Sequence, residues 1–260
     1  MKTNYHTHTV FCDGKHTPEE VVLSAIENGF DEIGISEHAP IFFDPAEGMD
    51  PARCLEYCSE ISRLKEKYKD RISVLCGVER DIFCREFDGE YDYVIGSEHY
   101  VRCDDGEYCV LDWKPEKFTY AAEKCGGYIE LCERYYETVS NVVKVTDCDI
   151  IGHIDLVTKF NEKCGFFDED DPRYVKAVMN ALDVLVPEGR YFEINTGAIS
   201  RGHRTTPYPS PFIMKELSKR GAKVILSSDS HHRDTLDCAF EEALELARSC
   251  GLKVEERLIL

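Results

Sequence analysis

No C-x-x-C pair occurs among the 13 cysteines of this 260-residue chain. Structural zinc modules pair their cysteines at that spacing, so that class is excluded. The cysteine count is odd and no secretory leader is read ahead of Lys2, so a disulfide scaffold is not expected either. The cysteines read as small buried residues of a protein in a reducing cytoplasm. No apolar run approaches the roughly 20 residues that a membrane span requires. The glycine-rich loops that cradle nucleotide phosphates, GxGxxG and GxxxxGKS, are both missing. Positive charge is scarce: 31 Lys and Arg stand against 50 Asp and Glu, for a net charge of −19. Such a chain repels a phosphate backbone unless it carries a basic groove, and no Lys/Arg cluster is long enough to make one. Neither nucleic acid nor membrane is an expected partner. A small anionic substrate held by metal ions is compatible with the balance.

What the chain does contain is a repeated strand–helix order with no low-complexity linker. Lys2–Tyr5 reads as the first strand. Thr17 then caps a helix with Pro18 at its first position and Glu19 and Glu20 in its first turn. Strands follow at Glu32–Ser36, Ile72–Val78, Tyr91–Ile95, Asp149–Ile151, Tyr191–Asn195 and Lys223–Leu226. Helices open at Asp50-Pro51, with Leu55, Ile61, Leu64 and Tyr68 inward, and at Asp171-Pro172, with Val175, Val178, Met179, Leu182 and Leu185 inward. A long helix is expected over Tyr128–Val145 and a last one over Leu236–Cys250; residues 103–112 read as a loop or hairpin. Alternation of this kind predicts a parallel sheet with helices outside, as one domain over 1–260. About seven strands favour an α/β barrel over an open sheet.

The chemistry-bearing residues share one kind of position. His6 and His8, His38, Glu79, His99, His153, Asp229 and His231 all sit at or just after the end of an expected strand, and Asp13 lies on the turn after His8. In a β/α barrel those ends share one face, where active sites are built. Histidines at i and i+2 on a strand point to the same side, so His6 and His8 can reach one ion. Imidazole plus carboxylate without thiolate suits Zn, Mn or Fe as divalent ions. The number of candidate ligands exceeds what one ion needs, so two or three ions are implied, with Glu79 suited to bridging two. Cys12 is read as packing rather than as a ligand. His16 reads as a surface residue, His232 as a neighbour that could orient a ligand, and Trp113 as a packing residue.

Multinuclear clusters of this composition hydrolyse phosphate esters, because the ions acidify water and clamp the oxygens of an in-line displacement. The remaining phosphate charge needs cations. Lys159, Arg201, His203 and Arg204 are the candidates, the last three on the loop after the Tyr191–Asn195 strand. Glu37, Glu98 and Asp155 are candidate acids for a cationic group of the substrate.

Taken in order, His6-Thr7-His8 with Phe11-Cys12-Asp13-Gly14, Ser36-Glu37-His38, Gly77-Val78-Glu79, Gly96-Ser97-Glu98-His99, Gly152-His153-Ile154-Asp155 and Ser228-Asp229-Ser230-His231 resemble the PHP (polymerase and histidinol phosphatase) superfamily. His153 to Phe160, Glu193 to Gly197 and Tyr208-Pro209-Ser210-Pro211 look most like its monofunctional histidinol-phosphatases. The resemblance implies a distorted seven-stranded (β/α)7 TIM-like barrel with three divalent metal ions (Zn, Mn or Fe) at the C-terminal ends of the strands. By similarity one ion would be held by His6, His8, Glu79 and Asp229, a second by Glu79, His99 and His153, and a third by Asp13, His38 and His231. The implied activity is hydrolysis of L-histidinol phosphate by attack of a metal-bridging hydroxide, with Asp229, His231 and Glu79 as catalytic residues and Arg201 on the phosphate. The alternatives are a phosphatase or phosphodiesterase of the same superfamily acting on another small ester, and a non-catalytic metal-binding regulatory protein.

Overall fold

The computed structural model describes residues 1–259. The first half of the chain forms β1 (Thr3–Asn4), α1 (Pro18–Glu27), β2 (Glu32–His38), α2 (Cys54–Tyr68), β3 (Ser73–Asp81) and β4 (Tyr93–Ser97). A hairpin of β5 (Tyr100–Arg102) and β6 (Tyr108–Val110) follows, then α3 (Pro115–Cys125), α4 (Tyr128–Val139) and α5 (Val142–Thr146). The second half runs β7 (Ile150–Ile151), α6 (Asn161–Cys164), α7 (Pro172–Leu185), β8 (Tyr191–Asn195), α8 (Gly197–Ser200), α9 (Pro211–Lys219), β9 (Lys223–Ser227), α10 (Phe240–Ser249) and β10 (Val254–Glu255).

The main sheet has the order β1-β2-β3-β4-β7-β8-β9-β10, with its neighbours parallel. It curls until its ends meet. Thr7, just past β1, bridges Ser230, just past β9, through His8 N–H to the Ser230 carbonyl at 2.8 Å and Ser230 N–H to the His6 carbonyl at 3.2 Å. Seven strands thus close at the C-terminal end of the barrel. At the other end β1 and β9 splay, and β10 fills the gap as a short eighth strand: it pairs with β9 and its Glu256 carbonyl accepts the Thr3 hydroxyl at 3.1 Å. The seven-stranded expectation therefore describes the ring, with β10 added to it.

Two apolar layers hold the barrel. The larger lies between the strands and the surrounding helices. The smaller fills the axis with Tyr5, Tyr93, Ile95, Ile150, Tyr191, Ile225 and Leu258. Tyr93 is its pillar: its hydroxyl donates to the Tyr5 carbonyl, and its ring lies over Gly34 and Gly77. A Cβ on Gly34 would sit 2.1 Å from the Tyr93 hydroxyl oxygen, and one on Gly77 2.2 Å from the ring carbon that bears it. Only glycine leaves room for the pillar at these two positions.

Local chemistry explains where elements start and where the expectations shift. Thr17 and Glu20 form the reciprocal cap of α1, and the Asp50 side chain accepts the Ala52 N–H at 2.9 Å. The buried stripe of α2 is Cys54, Tyr57, Ile61, Leu64 and Tyr68, so Leu55, one residue off that stripe, is exposed rather than inward. On α7 Tyr174 takes the buried position, while Val175 and Met179 are only half-buried. The helix expected over Tyr128–Val145 is broken into α4 and α5, since Ser140 turns its hydroxyl back onto the Tyr136 carbonyl at 2.5 Å. α3 was not anticipated; Pro115 opens it and Phe118, Ala121 and Ala122 bury it. The last helix begins at Phe240 and not at Leu236, because Ala239 adopts a left-handed φ of 58°. Among the described residues no helix is long and apolar enough to cross a membrane.

Candidate metal centre

Each candidate ligand is carried to the closed end of the ring by the strand before it. His6 and His8 follow β1 and flank the Thr7 bridge, so both side chains point inward. His38 ends β2, Glu79 lies near the end of β3, and His99, His153, Asp229 and His231 follow β4, β7 and β9. Asp13 is brought back by a tight turn: a Cβ on Gly14 would lie 2.5 Å from the His8 carbonyl carbon, so glycine lets the turn close on the strand end. Asp229 itself holds a left-handed φ of 49°, a conformation that aspartate tolerates better than most residues.

These side chains converge on Glu79, which is buried. Its Oε1 lies 2.9 Å from His153 Nε2 and 3.3 Å from His99 Nε2. Its Oε2 lies 3.1 Å from His6 Nε2, 2.9 Å from His38 Nδ1 and 3.5 Å from His8 Nε2. Asp229 Oδ1 stands 3.3 Å from His8 Nε2 and 3.8 Å from His6 Nε2. Asp13 faces His231 Nε2 at 3.0 Å and, with its other oxygen, His38 Nε2 at 3.9 Å. The His8 ring is sandwiched between those of His38 and His231, with centroids 4.3 and 4.2 Å away. Three sets have their ligating atoms within 4.8 Å of one another: His6, His8 and Glu79; His38, Glu79 and His99; and His8, Asp13, His38 and His231. Cys12 forms a further set with His8 and Glu37; its thiol donates to Glu37 Oε2 at 2.7 Å and lies 3.5 Å from His8 Nδ1.

The donors fit divalent ions. At the cluster, His6 Nε2, His8 Nε2 and Glu79 Oε2 are buried without a hydrogen-bond partner. Orphaned polar atoms at that depth are costly, and several at one point call for a ligand that accepts nitrogen and oxygen lone pairs. Protonation follows the same crowding. Burial pushes Glu79 up, but His6, His38, His99 and His153 outweigh it and hold the carboxyl well below its usual range. Burial acts likewise on Asp229, and Arg201, His6, His8 and His231 overcome it. Burial and then the neighbouring His231 and His38 charges push His8 down to about 3, leaving a neutral imidazole with a free lone pair. His38 is pushed up to about 9, since Glu79 and Asp13 outweigh its burial.

Two supporting carboxylates escaped the reading of the sequence. Glu193 Oε1 lies 2.6 Å from His6 Nδ1, while its Oε2 accepts the His153 N–H and the Asn195 amide, both at 2.9 Å. Asp81 Oδ2 accepts the His99 N–H at 2.7 Å and faces His99 Nδ1 at 3.2 Å. The signal was present: each is a carboxylate inside a strand, and Asp81 is two residues from Glu79 and therefore on the same face.

A cavity of about 240 Å³ opens above the cluster. Arg201, Lys159 and His203 line it as anticipated. Arg201, carried by α8, donates to Asp229 Oδ2 and to the Asp229 carbonyl, both at 2.8 Å; Gly197 makes room, because a Cβ there would meet both partners within 3 Å. Lys159 Nζ pairs with Asp112 Oδ2 at 3.0 Å. Arg204 does not reach the cavity: it is buried over the Tyr208 ring, bonded to the Thr158 hydroxyl and 3.8 Å from Asp155. Glu37, Glu98 and Asp155 are also off the cavity wall, all buried. The acids on that wall are instead Glu47 and Asp112, besides the candidate ligands Asp13 and Asp229. Trp113, expected to pack, is exposed at the mouth and lines the cavity. His16 and His232 lie away from the cluster, edge to face with each other at 4.3 Å.

The profile of the PHP domain matches residues 4–197. The chain belongs to the PHP domain family. Among its relatives, the histidinol-phosphatase of Bacillus subtilis is 27% identical over 270 residues, spanning 94% of this chain and 99% of that protein. The histidinol-phosphatase of Lactococcus lactis is 27% identical over 278 residues, spanning 98% and 97%. In fold, a Listeria monocytogenes crystal structure superposes with a TM-score of 0.81 at 22% identity, covering 93% of this chain and 99% of that one. The Lactococcus lactis histidinol phosphate phosphatase, solved with zinc, L-histidinol and phosphate, superposes at 0.73 with 20% identity, covering 97% and 95%. This chain therefore shares its fold with the two solved structures.

Proposed function

We propose that this PHP protein is a metal-dependent phosphomonoesterase that hydrolyses L-histidinol phosphate to L-histidinol and phosphate. The observation that carries the reading is the division of Glu79, whose Oε1 faces His99 and His153 while its Oε2 faces His6, His8 and His38. A carboxylate so placed is suited to bridge two ions. Full-length relatives that carry the histidinol-phosphatase name supply the substrate. In this reading three ions are held: by His6, His8, Glu79 and Asp229; by Glu79, His99 and His153; and by Asp13, His38 and His231. Bound divalent ions supply Lewis acidity toward water and the phosphoryl oxygens.

The protein's own part is to hold charge and move one proton. Arg201 stays cationic at the cavity wall: burial opposes its charge, but the Asp229 carboxylate outweighs burial. Lys159, held by Asp112, and His203 complete the anion-binding side. His231 or Asp229, 3.6 Å apart on the cavity floor, would relay the proton to the departing alkoxide. The reaction belongs to amino-acid biosynthesis in a reducing cytoplasm.

The test is an assay of the metal-loaded protein on L-histidinol phosphate beside a panel of small phosphate esters and a phosphodiester. The reading expects L-histidinol phosphate to have the highest kcat/KM. A rate no better than the panel average would sink it, and loss of activity on chelation with recovery on adding zinc or manganese is expected alongside.

A further inference from the structure

The cavity that Arg201 and Lys159 line is also lined by Ile41 and Glu47, from the loop between Ala39 and Gly48, and by Tyr100 and Val110 of the β5–β6 hairpin. The loop is closed at its base, since the Met49 N–H donates to the His38 carbonyl at 2.9 Å. It is stapled to the hairpin by Phe43, which stacks on Tyr108 with centroids 4.0 Å apart and an interplanar angle of 7°, and by the Tyr100 hydroxyl, which donates to Asp44 at 3.1 Å. Phe43 and Asp44 thus fix the loop against the hairpin, and Glu47 stands exposed at the cavity.

Most acids around the cavity are already engaged. Asp13 is committed to His231, Asp112 to Lys159 and Asp44 to Tyr100. Glu47 is different. Burial pushes its carboxyl up, as do Asp44, Asp112 and Asp13, and only His38 acts the other way. Glu47 lines the cavity without a Lys or Arg partner of its own among the described residues, and a carboxylate among other acids favours the approach of a cation.

We propose that Glu47 is a specificity-determining residue that receives the positively charged nitrogen group of the leaving alcohol while the phosphate lies against Arg201. This deepens the phosphomonoesterase reading above and rests on it. The cavity is then bipolar: cations for the anionic end of the ester and a carboxylate for its cationic end. An ester with a neutral leaving group gains nothing from Glu47.

Steady-state kinetics of the metal-loaded wild type and Glu47→Gln on L-histidinol phosphate and on 4-nitrophenyl phosphate test this. The ratio of kcat/KM between the two esters is expected to fall about tenfold in Glu47→Gln, carried by KM for L-histidinol phosphate. Calorimetric affinity for L-histidinol, which has no phosphate, is expected to fall by the same factor. Glu47→Lys should lower the ratio further. A Glu47→Gln ratio within about twofold of the wild type, in an enzyme that prefers L-histidinol phosphate, overturns the role of Glu47 alone. A wild type with no preference for L-histidinol phosphate overturns the functional reading, and the assignment of Glu47 with it.

Discussion

Glu193 and Glu79 grip the two nitrogens of one ring: Glu193 Oε1 is 2.6 Å from His6 Nδ1, and Glu79 Oε2 is 3.1 Å from His6 Nε2. The first contact fixes which nitrogen is presented to an ion and how the ring is turned. Glu193→Gln should therefore weaken metal binding by about 10- to 100-fold, the usual loss when the partner behind a ligating histidine is altered. Competition against a chromogenic chelator measures it; unchanged affinity would remove Glu193 from the site. Because Glu193 also accepts the His153 N–H, the loss should extend to the His99–His153 side.

The split of Glu79 between two sets of imidazoles makes a prediction about stoichiometry. Glu79→Gln should lower the number of ions retained per chain at two positions at once. His38→Ala should lower it mainly at one. Elemental analysis of both variants after the same metal-rich preparation decides between them, and equal losses would contradict a bridging role.

How far this site could be read in advance depended on the period of the strand. His6 with His8, and Glu79 with His38 across the β2–β3 register, were legible because strand ends in a barrel share a face. The same period explains the failures. Glu37 is the immediate neighbour of His38 within β2, so alternation turns it away from His38, whereas Glu98 follows the end of β4 at Ser97, past the reach of alternation. Asp155 is two residues from His153, but β7 has already ended at Ile151 and the alternation no longer applies. Glu47, Asp112 and Trp113 lie on loops, where no period places a side chain, and only the folded chain brings them to the cavity. Glu193 carried a weaker signal than Asp81: it too is a carboxylate inside a strand, but Phe192 and Ile194 beside it read as barrel core and no candidate ligand lies two residues away.

The metal-free and metal-loaded proteins should respond to pH in opposite senses. His38 is raised from 6.5 to about 9 in the metal-free fold, and His6 and His99 are raised as well, by carboxylates that outweigh burial. A raised imidazole contributes its stabilisation in full below the unfolded value and loses it as pH climbs through the folded one. The Tm of chelator-treated protein should thus fall between about pH 6.5 and pH 9. Ligation needs neutral imidazole, so ions displace those protons and bind more tightly over the same window, and the loaded protein should hold or gain Tm. Thermal melts with and without chelator at the two ends of the window check both signs.

Packing on the axis is equally open to test. Gly77→Ala would place a Cβ 2.2 Å from the Tyr93 ring, which is buried and bonded to the Tyr5 carbonyl and so has nowhere to go. Overpacking of this kind costs about 1–3 kcal/mol. The urea midpoint should fall accordingly, whereas Gly165→Ala, where a Cβ meets nothing, should cost only the strain of its left-handed φ of 60°.

The Tyr93 pillar also sets the traffic through the enzyme. With the axis plugged by Tyr93, Tyr5 and Tyr191, the chamber is one-ended: whatever enters past Trp113 must leave past Trp113. Under the proposed reaction, phosphate held by Arg201 at the floor would sit behind the alcohol, and ordered release, alcohol before phosphate, is the expected outcome. Inorganic phosphate should inhibit competitively against the ester and L-histidinol noncompetitively, and a product-inhibition series with the two patterns exchanged would mean that a second exit exists.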